Sequence, residues 1–445
     1  MKVAQLSLDG YYNYGNWLQK YALQTTIKKF ADEAEFLWCG ENGFWVDTTA
    51  TTFIPQTIME SSPEPVPRYF LLEAVRISKI KEFGERYINT RFNLPYPEEI
   101  ADEYDFFVVG SDQVWNLNFS IFPIIFLPFV PREKKIAYAA SIALPKLPDE
   151  LKDFYRQAIS SFAHVSVREA NAVNLIEELG LEPPQLLLDP VLLLTRDEWL
   201  KIARRPSWLN EKYERGYILT YYLRNFPPPE IKSVAAELNL PVINLFDINN
   251  FNHYTTGPEE FVYLFANASL VYANSFHGVA FSTLFKRPFV NCEYDDEATQ
   301  GMGTRIPSLL KMFGLENRTV YTDDFQKIKS PLEIDFSRRD EVLPQERMKA
   351  FKFLSKALGV EMPAELNGGG MTRNDFRRND FKKTRRLYRL FGLQKYLSEK
   401  LYNYGARRRR LLLSENKSRR MHKLWQVRKG LSFAEFQGCN ARRVA

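Results

Sequence analysis

The chain of 445 residues has only three cysteines, Cys39, Cys292 and Cys439. They lie far apart and are odd in number. Neither a disulfide framework nor a metal-ligand spacing can be built from them, so a reducing compartment is expected. The amino-terminal MKVAQLSLDG lacks the apolar core of a secretory leader, and no apolar run reaches the roughly 20 residues that span a bilayer. The glycine fingerprint of a dinucleotide site is also missing from the first strand–turn–helix unit, so nucleotide binding is not implied. Together these absences point to a protein on the cytosolic side of the membrane. The composition, 45% hydrophobic and 26% charged, is that of an ordinary globular protein.

Charge is unevenly placed. The net charge of +6 hides a tail, residues 371–445, with 22 Lys/Arg and 5 Asp/Glu. Residues 1–370 hold the remaining 38 basic and 49 acidic residues. An acidic body thus carries a strongly basic end, and each needs its own explanation.

The body reads as alternating strands and helices. Val3–Leu8 is an apolar strand, followed by a polar turn and a helix with Trp17, Leu18, Tyr21, Leu23 and Ile27 on its period. Residues 40–67 form an irregular excursion, and Leu71–Asn89 a basic amphipathic helix. Further strands are expected at Phe106–Val109, Lys135–Ala140, His164–Glu169 and Leu186–Val191, with helices between them. Residues 195–215 read as a polar crossing. A second set follows over about 215–360, with strands at Tyr217–Tyr222, Pro241–Phe246, Leu270–Ala273 and Phe289–Val290. This alternation predicts an α/β protein with two Rossmann-like domains, 1–205 and 206–367, facing a cleft, and a basic helical or disordered tail over 368–445.

The chain is organised around Leu270–Phe285, LVYANSFHGVAFSTLF. A buried strand ends in the polar corner Asn274–Gly278 and passes into an apolar helix. That layout places ligand groups at the carboxyl end of a parallel sheet and aims free helix N–H groups at them. Asn274 and Ser275 are candidate caps, and Gly278 permits close approach. His277 stands either as a proton donor and acceptor or as a satisfied core histidine. Two more strand ends carry polar residues. Ser111, Asp112 and Gln113 follow Phe106–Val109, with Asp112 as ligand or cap. Arg168 lies at the end of the strand His164–Glu169, as an anion contact or as the partner of Glu169 or a neighbour. Asn13 and Asn16 open the first helix as caps or as ligand contacts.

The segments NYGNWLQKYALQ (13–24), VGSDQVWN (109–116), VSVRE (165–169), Asp189-Pro190 and NSFHGVAFSTLF (274–285) resemble the polysaccharide pyruvyl transferase family in the right order, over roughly residues 1–360. The resemblance implies two Rossmann-like domains in a glycosyltransferase B-type arrangement. It implies transfer of a pyruvyl group from phosphoenolpyruvate to a sugar, forming a ketal with loss of phosphate. No metal and no cofactor are implied beyond that donor. His277 matches the family histidine and Arg168 the arginine ending the first domain's motif. One departure stands out: many members carry Arg-Leu before the histidine, where this chain has Ser275-Phe276. Arg305, at the start of a later helix, is the candidate to supply the missing charge. On this reading His277 is the acid/base, Arg168 and Arg305 hold the anion, and Asp112 holds acceptor hydroxyls or orients a catalytic group. Asn13, Asn16, Ser111, Gln113, Asn274 and Ser275 line the site. Two alternatives share the features: a glycosyltransferase using a nucleotide sugar, and a non-catalytic carbohydrate-binding or scaffold protein.

In the tail, Leu387, Leu390, Phe391, Leu393, Leu397 and Leu401 can share a helical face, and Arg407–Arg410, Lys417, Arg419, Arg420, Lys423 and Trp425 follow. The pattern fits attachment to an anionic inner leaflet, where lipid-linked acceptor glycans reside by the resemblance. It also fits a solvated end. The acidic body bears no nucleic-acid-binding signature, so nucleic acid is not the expected partner.

Overall fold

Strand order explains where the site lies. The structure, a computed structural model, describes residues 1–10, 13–38, 68–92, 94, 97–116, 123–223, 227–293, 304–321, 325, 328 and 330–366. The expected excursion over 40–67, most of the loop over 291–304 and the basic tail lie outside the described residues.

The first sheet comprises β1 (Lys2–Leu6), β2 (Glu33–Leu37), β3 (Thr90–Arg91), β4 (Phe106–Val109), β5 (Lys135–Ala140), β6 (His164–Val167) and β7 (Gln185–Leu186). All pairs are parallel, in the order β3-β2-β1-β4-β5-β6-β7. Its helices are α1 (Tyr14–Ile27), α2 (Arg68–Tyr87), α3 (Lys152–Ser160) and α4 (Ala170–Glu178), and α5 (Arg196–Ile202) follows the last strand. The second sheet comprises β8 (Ile218–Tyr221), β9 (Val242–Asn244), β10 (Leu270–Ala273), β11 (Phe289–Glu293) and β12 (Thr319–Tyr321), again all parallel, in the order β12-β11-β10-β8-β9. Helices α6 (Ile231–Leu238), α7 (Pro258–Asn267), α8 (Phe276–Phe285), α9 (Arg305–Phe313) and α10 (Ser337–Ala357) complete it. The near-continuous apolar strands FFVV and LVYA suit sheets covered on both faces. Each sheet reverses its strand order once, between β1 and β4 and between β8 and β10, and ligand crevices form at such switch points.

Both sheets fall within one compact unit and share a core. Tyr14 of α1 packs, tilted, 5.0 Å from Phe261 of α7, and Trp199 of α5 meets Phe281 of α8 at 4.9 Å. Lys20 is fully buried in α1, with its ammonium 4.4 Å from the Trp17 ring and 4.5 Å from Phe36. Ring faces that attract a cation account for a lysine in that place.

Three local expectations are corrected. The run 186–191 is no strand beyond Leu186: the Asp189 carboxylate accepts the Val191 N–H and opens a 3-10 turn at Pro190–Leu192. The crossing at 195–215 contains α5, started by a capping box in which Thr195 and Glu198 bond each other's backbone N–H. The α8 cap is Ser275 alone, and its side chain makes no capping bond; the Asn274 side chain instead accepts the Leu223 N–H at 3.1 Å. The last helix also returns to the first sheet's side. Arg347 in α10 donates to the carbonyls of Leu192 and Leu194 at 2.7 and 2.8 Å.

Candidate active site

Five strand ends supply the site. Helix α1 begins at Asn13, whose side chain accepts the Gly15 N–H at 2.9 Å, so the expected cap is present. The cap places Gly15 and Asn16 at the carboxyl ends of β1 and β4. After β4 the chain turns at Asp112, whose φ of 78° is in the left-handed region, uncommon for a residue with a side chain. Its carbonyl accepts N–H bonds from Val114 and Ser141, which hold the turn to the end of β5. Arg168 follows β6, Asp189 follows β7, and His277 sits in the first turn of α8 after β10.

These residues meet in one buried cluster. Arg168, 4% exposed, donates Nη1 to Asp189 Oδ2 at 2.6 Å and Nη2 to Asp112 Oδ1 at 3.5 Å. Asn16 donates Nδ2 to Asp112 Oδ2 at 3.0 Å. His277 Nε2 faces Asp189 Oδ2 at 3.7 Å, an ion-pair separation too long for a hydrogen bond. From the other side, Gly15 lies so close to His277 that an added Cβ would sit 2.0 Å from Nδ1. Only glycine lets α1 and the imidazole meet in this way. Arg305 opens α9, 8% exposed, with its guanidinium carbon 5.9 Å from the Phe276 ring.

Electrostatics follow from the geometry. Burial pushes the Asp112 carboxyl up, but Arg168, His277, the Asn16 amide and Arg305 outweigh it and hold it below its ordinary value. Burial likewise opposes ionisation of Asp189, yet the facing His277, Arg168 and the Val191 N–H keep it well below the usual carboxylate range. For Arg168, burial works against the charge, and Asp189 and Asp112 restore it and raise the value. The cluster is therefore a set of buried charges that ionise one another.

The structure brings His277, Arg168, Asp112, Asn16 and Arg305 together. Ser111 reaches the cluster edge, with its hydroxyl donating to Ala139 O at 2.8 Å and lying 3.3 Å from Asp189 Oδ2. The Gln113 side-chain oxygen accepts from Asn116 at 2.6 Å. Asn13 and Ser275 lie beside Tyr221, and Asn274 holds the Leu223 backbone. Of the two readings for Arg168, its partners are Asp189 and Asp112, while Glu169 accepts the N–H groups of Ile142 and Ala143 at 2.9 Å each. Sequence reasoning missed Asp189, which touches Arg168, Ser111 and His277. The signal was an acidic residue at the end of the apolar run LLL, in the Asp189-Pro190 segment of the resemblance. Among the described residues no group of three His, Cys, Asp or Glu could hold a metal ion.

Solved structures with similar folds include UDP-GlcNAc 2-epimerase from Neisseria meningitidis bound to UDP-GlcNAc, at 10% identity and TM-score 0.41, covering 82% of this chain and 95% of that one. The Anabaena protein Alr3699/HepE in complex with UDP is similar at 11% identity and TM-score 0.42, with 81% and 100% covered. Acinetobacter baumannii MurG follows at 10% identity and TM-score 0.34, with 83% and 97% covered. Likeness at this level says nothing of substrate. No curated protein matches the sequence significantly. The family model described as polysaccharide pyruvyl transferase matches residues 13–296, a span that holds Asn16, Asp112, Arg168, Asp189 and His277. With its parallel sheets and this cluster at their carboxyl ends, the chain belongs to the polysaccharide pyruvyl transferase family.

Proposed function

We propose that this chain transfers a pyruvyl group from phosphoenolpyruvate to a sugar of a cell-surface polysaccharide or its precursor, forming a ketal. The observation that carries the reading is a pair of buried nitrogens. Arg168 Nε and His277 Nε2 have no hydrogen-bond partner among the described residues, in a cluster where the carboxylates are already engaged. A buried donor left unpaired costs about 1–3 kcal/mol, so a site that keeps two of them suits a ligand that takes both.

The reaction needs a proton on the donor's methylene carbon. A sugar hydroxyl then bonds to the neighbouring carbon, the bond from that carbon to the phosphate oxygen breaks, and a second hydroxyl closes the ketal. One hydroxyl proton ends on the new methyl group and the other leaves with phosphate. His277 is the group for both transfers, since an imidazole ring can both donate a proton and accept one. Arg305 and the free N–H groups at the start of α8 receive the phosphate. Arg168 keeps Asp112 and Asp189 ionised and turns Nε to the donor carboxylate. Asn16 Oδ1, also without a partner, suits an acceptor hydroxyl. The acceptor is proposed to be lipid-linked, with residues 371–445 on an anionic membrane surface.

The test is incubation of the full chain with phosphoenolpyruvate and lipid-linked or nucleotide-linked glycans, reading phosphate release and product mass. A product heavier by one pyruvate ketal is expected, and His277→Ala lowers its rate by roughly 100-fold. Transfer from nucleotide sugars, with none from phosphoenolpyruvate, overturns the proposal.

A further inference from the structure

Phe276 opens α8 directly before His277 and is 3% exposed. Its ring meets three of the groups that the proposed chemistry uses. The Arg168 guanidinium carbon lies 4.4 Å from the ring centroid and that of Arg305 lies 5.9 Å away. The His277 imidazole stands edge-on at 5.3 Å and 90°. The two arginines come from different sheets. Arg168 follows β6 and is tied to Asp189 and Asp112, whereas Arg305 opens α9 after β11. Like charges in a buried place repel, and an aromatic face offers both a shared region of negative potential. Leucine in the same place fills much of the volume without that face.

We propose that Phe276 is a positioning residue, the platform that sets Arg168 and Arg305 in register for one anionic group and so fixes affinity for the donor. The identity of that anion rests on the function proposed above; the existence of an anion site does not. Because Phe276 carries no group that titrates, its effect falls on binding and leaves the proton transfers to His277.

The experiment titrates the full chain with inorganic phosphate and, separately, with phosphoenolpyruvate, by calorimetry, for the parent, Phe276→Leu and Phe276→Tyr. Melting curves and, where turnover is seen, KM and kcat are read beside it. Phe276→Leu is expected to weaken phosphate binding about 10-fold, the scale of losing desolvated cation–ring contacts. It raises the donor KM in step while kcat stays within about twofold. Phe276→Tyr keeps the ring and restores affinity to within about twofold of the parent. Unchanged phosphate affinity in Phe276→Leu overturns the proposal, and so does a parent that binds no phosphate. Equal weakening in both variants with lowered melting assigns Phe276 to packing and also overturns it. Phosphate binding that follows this pattern, in a protein that transfers nothing from phosphoenolpyruvate, upholds the platform and rejects the function.

Discussion

Gly15→Ala separates a working site from a well-packed seam. The new Cβ would lie 2.0 Å from His277 Nδ1 and 2.2 Å from Cγ, where ordinary contact begins at 3.4 Å. About 1.4 Å has to be found along the shorter of these approaches. Separating α1 from the second sheet is resisted by the Tyr14–Phe261 contact at 5.0 Å and by the Tyr14 hydroxyl bonded to Thr256 O at 2.7 Å. The imidazole therefore gives way and swings from its place 3.7 Å from Asp189 Oδ2. Misplacing a catalytic group by about 1 Å costs on the order of 100-fold in rate. Stability moves less. Crowding costs about 1–3 kcal/mol, while alanine in place of glycine inside a helix returns about 1 kcal/mol. Turnover down roughly 100-fold with melting shifted by only a few degrees is the expected result, read by phosphate release and by thermal unfolding on one preparation. Turnover equal to the parent's, in a variant that keeps its melting temperature, would refute His277 as the group that reacts.

Arg168→Ala leaves Asp112 and Asp189 buried without their cation and should cost about 3–5 kcal/mol in urea unfolding, with Arg168→Lys falling between because it keeps the charge and loses the fork. If donor affinity holds in both variants while stability drops, Arg168 is a structural ion pair. Asp189 and Asp112 are held below their unfolded values, so the stability they contribute is complete above about pH 4 and is lost as pH falls toward the lower folded values. Urea midpoints taken downward from pH 6 should fall less steeply in Asp189→Asn than in the parent, and parallel profiles would contradict the assignment. Sedimentation with anionic vesicles should retain the full chain and release one ending at Gly370, with each Lys/Arg near the surface contributing about 1 kcal/mol; equal partitioning, or binding indifferent to salt, removes the membrane role.

Periodicity made the frame of the site legible. LVYA over 270–273 and the helix after Ser275 stand where the sequence places them, because a short apolar run bounded by a polar corner has few other readings. The same logic placed β4 and β6, and with them Asp112 and Arg168 at strand ends. The strand at 186–191 failed because its buried apolar run, Leu187 and Leu188, leads into a turn at Pro190–Leu192 that Asp189 caps. Helix α5 was legible in principle, since Thr195 and Glu198 hold the capping-box spacing, but the polar residues around it suggested a crossing. The destination of α10 was not, because an apolar helix face states that a partner exists and not which sheet provides it.

What no local pattern carries is the pairing of charges. Arg168 reads in sequence as an arginine beside Glu169, the nearest acid, yet the fold gives Glu169 to the backbone of Ile142 and Ala143. Arg168 is left for Asp189 and Asp112, which arrive from two other strand ends. A parallel sheet makes this exchange natural. Every strand delivers its last residue to the same edge, so neighbours in space come from different units of the chain, and neighbours in sequence are turned to opposite faces. The consequence for chemistry is direct. An arginine paired with its own neighbour would hold one carboxylate, whereas an arginine shared by two carboxylates from different strand ends fixes both, and one of them faces His277. Substitutions at Asp189 should therefore disturb the histidine as much as the arginine, although no local pattern joins the three.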